Sequence, residues 1–120
     1  MATTELTAET IEQTITGNDI VLIDFWADWC GPCKRFAPVF EASAEANPDI
    51  VHAKVDTEAE GQLAAEFQIT SIPTLMAFRE GVLVFNQAGA LPAQSLAQVV
   101  DAVRALDMDD VRRQIAEARS

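Results

Sequence analysis

The run IVLIDFWA at residues 20–27 constrains this chain more than any other stretch. Its apolar residues follow one another instead of alternating, and β-branched and aromatic side chains dominate. That is the signature of a strand buried on both faces. Asp24 interrupts the run, which is also far too short to span a bilayer. DIVHAKVD reads as a second buried strand, and PTLMAFREGVLVF as a hairpin turning at Glu80-Gly81.

Helices fill the intervals. Thr7 is placed to cap a short helix over residues 8–16, ended by Gly17 and Asn18. A longer helix opens at the cysteines and runs to about Asn47, with Pro38 inside it and Pro48 as its stop. Residues 61–67 read as a short helix. Leu96, Val99, Val100, Val103 and Leu106 recur at helical spacing, so one amphipathic helix is expected over residues 92–107. With a weak N-terminal strand, the order is strand, helix, strand, helix, strand, helix, hairpin, helix. An α/β fold with a central mixed sheet flanked by helices on both faces fits this order.

The chain has 120 residues, enough for one domain with its own core. Its formal net charge of −11 argues against nucleic acid or an anionic membrane as a partner, since both need basic patches. The first fifteen residues lack a basic stretch followed by an apolar run, so no signal peptide is expected and the cytoplasm is the default location. Nothing in the sequence demands more than a monomer.

Only two cysteines are present, Cys30 and Cys33, in WCGPCK directly after the buried run. As a structural bridge they would close so short a loop that little entropy leaves the unfolded chain. As a metal site they supply two ligands of four, and the single histidine, His52, reads as a space-filling sheet residue, so no metal is expected. The reactive reading explains more. A thiolate at a helix N-terminus is stabilised by unpaired N–H groups and the helix dipole. Gly31 gives room for the bend, and Pro32 is tolerated in the first turn. One thiol attacks a substrate disulfide and the other resolves the product, which is exchange chemistry.

WADWCGPCK followed by AP, then AKVD, SIPTL, FREG and AGAL in this order, resembles the thioredoxin family over about residues 3–106. The resemblance implies the thioredoxin fold and a cytosolic disulfide reductase with no bound cofactor beyond a redox-active Cys30–Cys33 disulfide. Its implied partners are disulfide-containing proteins and a flavoprotein thioredoxin reductase that draws on NADPH. The Gly-Pro pair between the cysteines resembles the reductases, whereas oxidases of this fold usually carry a histidine there.

Residue by residue, the resemblance makes Cys30 the exposed nucleophile and Cys33 the buried resolving thiol. Asp24 matches a buried carboxylate behind Cys33, whose acid burial should weaken. It passes a proton to or from Cys33, or it is held by Lys54, which matches the lysine of the family at that place; both roles fit. Pro73 matches a cis-proline facing the disulfide, leaving the Ile72 backbone free to pair with an extended substrate. Trp29, Gly31, Pro32, Ile72, Pro73, Gly89 and Ala90 would form a flat apolar docking surface, with Trp26 packed beneath it.

Two departures stand out. Thr70 and Ser71 replace a basic residue and a glycine common in the family, which alters the rim of the site. The stretch 108–120 runs past the usual end of the thioredoxin domain, set here at residues 1–107. It reads as a frayed solvated tail, with Asp109 or Asp110 placed to cap a turn or two of helix.

Overall fold

A computed structural model describes residues 2–119. Among these residues, five strands and five helices follow in the order β1 (Thr3–Glu5), α1 (Ile11–Thr16), β2 (Ile20–Trp26), α2 (Gly31–Ala46), β3 (Val51–Asp56), α3 (Gly61–Glu66), β4 (Thr74–Arg79), β5 (Val82–Ala88), α4 (Ala93–Arg104) and α5 (Met108–Ala118). The strands form one mixed sheet in the order β1-β3-β2-β4-β5. β1, β3 and β2 run parallel, while β4 is antiparallel to β2 and β5 to β4.

β2 lies at the centre, and its side chains divide by alternation. Val21, Ile23 and Phe25 join Ile11, Ile15 and Leu63 in the core under α1 and α3. Ile20 and Leu22 join Phe36, Phe40, Leu96 and Val100 in the core under α2 and α4. Asp24 has the parity of Leu22 and therefore points toward α2.

The hairpin turns where the sequence places it. Glu80 and Gly81 both have positive φ, 52° and 80°, the backbone a tight two-residue turn needs. The start of α1 differs from expectation. Thr7 does not open the helix but forms a turn of its own: its hydroxyl accepts from the Glu9 N–H, and its N–H donates to the Thr10 hydroxyl. Helix begins only at Ile11.

The C-terminal end differs more. The helix expected over residues 92–107 stops at Arg104, and the stretch expected as a short helix or a frayed tail forms an 11-residue helix, α5. Asp107 caps it, not Asp109 or Asp110: its carboxylate accepts from the Asp110 N–H at 3.2 Å. The break is held by a residue far off in sequence. Arg79, at the end of β4, donates through Nη1 to the carbonyls of Val103 (2.9 Å), Arg104 (3.2 Å) and Leu106 (2.9 Å). Val103 and Arg104 end α4 and Leu106 lies in the link to α5, so one guanidinium ties the helix end and that link to the sheet. Met108 is then buried, Arg112 pairs with Glu80 of the hairpin, and Val111 and Ile115 face Leu83 and Val84 across a shallow groove.

Removing the guanidinium would take a charged donor from three carbonyls at once. Arg79→Met is expected to lower stability by about 2 kcal/mol, the scale of charge-assisted hydrogen bonds lost without replacement. A urea midpoint that falls with an unchanged slope checks it; an unmoved midpoint means the helix junction holds without Arg79.

Candidate functional site

The site lies where β2 ends and α2 begins. Cys30 occupies the N-cap of α2 with extended backbone, φ −90° and ψ 111°, and Pro32 stands in the first turn. The Cys33 N–H donates to Cys30 Sγ at 3.2 Å, so the sulfur takes the place a serine or aspartate oxygen takes in other caps. Any negative charge on that sulfur meets a backbone donor and the positive end of a 16-residue helix. The two cysteines are joined as a disulfide, with Cα atoms 5.2 Å apart.

The structure corrects the expectation that Cys30 is the exposed member. Both cysteines are only 3% exposed. What separates them is the surface each one borders. Cys30 lies on an open groove of about 540 Å³, shared with Trp29, Gly31, Pro32 and Ile72. Cys33 borders a smaller cleft of about 190 Å³ on the other side, with Trp26, Asp28, Lys34 and Lys54.

Across the groove, Cys30 Sγ lies 3.7 Å from the Ile72 carbonyl oxygen. The Ile72–Pro73 peptide is cis, and the Gly89 N–H donates to the Pro73 carbonyl at 2.8 Å. Gly89 has φ of 106°, a conformation that favours glycine. The expected docking set is thus brought together unevenly. Trp29, at 69% exposed, and Gly31, Pro32 and Ile72 face the groove with Cys30. Pro73 itself is buried, and Gly89 and Ala90 are exposed beside it without lining the groove.

The sequence reading missed the opposite wall. Thr57, Glu58, Ala64 and Ile69, from α3 and its flanks, line the groove with Thr70 and Ser71. No motif marks them; they reach Cys30 only because β3 lies beside β2 and delivers α3 to the same edge.

On β2, Asp24 is fully buried, and neither carboxylate oxygen has a hydrogen-bond partner among the described residues. The alternative that Lys54 holds it is not what the geometry gives. Lys54 stands opposite Asp24 in the β2–β3 register, but its ammonium rests on the Trp26 ring, 4.9 Å from the centroid. Burial therefore dominates and pushes the Asp24 acid up from 3.8 to about 7; Lys54 pulls it down and Glu5 pushes it further up. Trp26 is half-buried and packs against Ala27, Cys30 and Cys33.

His52 is buried under α2. Its Nε2 and the Ser43 hydroxyl are 2.9 Å apart, and Nδ1 lies 3.1 Å from the Ile50 carbonyl. With Nδ1 donating and Nε2 accepting, the ring is neutral, and burial holds its basicity below the ordinary value. Among the described residues no three His, Cys, Asp or Glu side chains gather as a metal site would need.

The family model for thioredoxin matches residues 2–102. The chain belongs to the thioredoxin family. It is 59% identical over 119 residues to a candidate thioredoxin 2 of Streptomyces coelicolor, covering 99% of this chain and 89% of that one. It is 45% identical over 98 residues to thioredoxin C-3 of Corynebacterium nephridii, covering 81% and 68%. Among solved structures, a mutant thioredoxin from Halobacterium salinarum superposes with a TM-score of 0.80 at 32% identity, covering 87% of this chain and 92% of that one. The thioredoxin match and the disulfide-bonded pair make this a thiol–disulfide oxidoreductase acting on protein disulfides. The Streptomyces alignment extends past the family model and takes in the stretch that forms α5 here, so that sequence has a counterpart in this relative.

Proposed function

We propose that this protein is a general protein disulfide reductase of the cytosol, working as a monomer and recharged by an NADPH-dependent flavoprotein thioredoxin reductase. One observation carries the reading. A cysteine sulfur at a helix N-cap faces an open groove, while its disulfide partner borders a separate, smaller cleft.

In the reduced state the Cys30 thiolate attacks one sulfur of a substrate disulfide. A Cys30–substrate disulfide forms, and the other substrate sulfur leaves as a thiolate. An extended substrate segment pairs with the Ile72 backbone across from Cys30 and lies against Trp29. The Cys33 thiol then gives its proton to the Asp24 carboxylate, directly or through water in the adjoining cleft, and attacks Cys30. The second substrate sulfur also leaves as a thiolate, the two thiolates take up the proton held by Asp24 and one from solvent, and the Cys30–Cys33 disulfide remains. Two electrons from the reductase restore the pair. Lys54 and Trp26 support this half of the site, the first by charge and the second by packing.

The cytosolic assignment follows from direction. A reductant works against a pool that keeps thiols reduced. Among the described residues no helix is long and apolar enough to cross a membrane.

The deciding measurement is the reduction potential of the Cys30–Cys33 pair, equilibrated against a buffer of known potential. A value near about −270 mV, that of thioredoxin, is expected. A value near about −120 mV, that of a dedicated oxidase, would reverse the direction and overturn the proposal.

A further inference from the structure

Glu5, Lys54 and Asp24 form one row across three adjacent parallel strands. Glu5 pairs with Lys54, and Lys54 with Asp24. Alternation turns all three toward α2. Thr3, two residues before Glu5, donates to Glu41 of that helix, and His52, two before Lys54, meets its Ser43. The row therefore holds a single cation between two carboxylates. That cation is parked on the Trp26 ring, and Asp24 is left with no hydrogen-bond partner among the described residues.

We propose that Glu5 is a positioning residue for Asp24: it shares Lys54, the one cation of the row, and so denies Asp24 a full counterion. The proposal rests on the reading of Asp24 as the proton carrier for Cys33. Glu5 stands on the edge strand and is exposed there, yet its acid is raised, chiefly by burial, with Lys54 and the Trp26 indole opposing and Asp56 adding to the rise. Asp24 in turn feels Lys54 in one direction and Glu5 in the other. The remaining charges around the row are Lys34 of α2 and Asp28 of the preceding loop, which border the Lys54 cleft, and Glu41 of α2, which also feels Lys54. Glu5 and Asp24 are two strand spacings apart, roughly 10 Å. Across a partly buried path that distance leaves an effect of a few-fold in a dissociation constant, reduced by solvent on the Glu5 side.

The test is the side-chain carboxyl titration of Asp24, followed by NMR in the oxidised, full-length protein. In Glu5→Gln the Asp24 dissociation constant is expected to rise about threefold, moving its midpoint to lower pH. Glu5→Asp, which keeps the charge, should restore the parent curve, and Lys54→Met should move it to higher pH. A Glu5→Gln curve that overlays the parent's, with the amide spectrum of a folded chain, overturns the proposal. The pH profile of mixed-disulfide resolution is measured beside it. If that profile follows the titration, both readings stand. If the titration moves and the profile does not, Glu5 still acts on Asp24, and it is the proton-carrier role of Asp24 that falls.

Discussion

Asp24→Asn is expected to leave stability almost unchanged at about pH 4 and to raise it by about 4 kcal/mol at about pH 8.5. The asparagine amide has the shape of a protonated carboxyl and enters the same unpartnered pocket, so it mimics the parent at low pH. The difference lies in the charge. Burial lifts the Asp24 acid from 3.8 to about 7, so the folded chain holds this proton more tightly than the unfolded chain does. The cost of ionisation is absent below the unfolded value, grows between the two values and is complete above about 7. A separation of about three units at 1.36 kcal/mol each gives the expected size. Urea unfolding of parent and variant across this range measures it. A stability difference that stays flat with pH would mean that Asp24 ionises freely in the folded chain.

The same variant separates cost from use. Asparagine cannot accept the Cys33 proton, so release of a mixed disulfide should slow, and its rate–pH profile should lose the inflection near the Asp24 value. An unchanged profile removes Asp24 from the mechanism and leaves its burial without a chemical role. A carboxylate that destabilises its fold and speeds its reaction is the pattern expected where strain is kept for function.

How far the sequence reveals this molecule depends on whether the cause is local. The β2 run, the helix opening at the cysteines and the Glu80-Gly81 turn are each written in a few consecutive residues, and the structure has them where the pattern puts them. The split between α4 and α5 is not local. Helical spacing runs on through Leu106, while Arg79, on a strand, donates to carbonyls at the helix end and in the link that follows. The α3 wall of the groove and the Glu5–Lys54–Asp24 row are products of strand order. β1, β3 and β2 are adjacent in space while helices separate them along the chain. Periodicity finds a face but not the neighbour across it. Lys54, which the family resemblance matches to Asp24 as one of two alternatives, does pair with it in register, yet its ammonium lies over Trp26.

Serine substitution at the two cysteines should produce opposite failures. Because both are equally buried, exposure does not assign their roles; the surfaces they border do. Cys30→Ser leaves the groove beside Trp29 and Ile72 without a sulfur. Cys33 then opens only on the cleft of about 190 Å³, too confined to admit a protein disulfide. Turnover should fall to the uncatalysed rate. Cys33→Ser keeps the attacking sulfur at its helix cap, so the first exchange proceeds and the substrate stays attached. One equivalent of mixed disulfide should accumulate, visible by mass spectrometry and released by added thiol. Multiple turnover by Cys33→Ser would overturn the two-cysteine mechanism. The double variant addresses a different question, because an apolar groove holding clients without redox chemistry would serve equally well with serines. If clients remain bound to the double variant and its redox activity is lost, binding and exchange are separable in this site. If binding is lost as well, the disulfide exchange itself is what holds the client there.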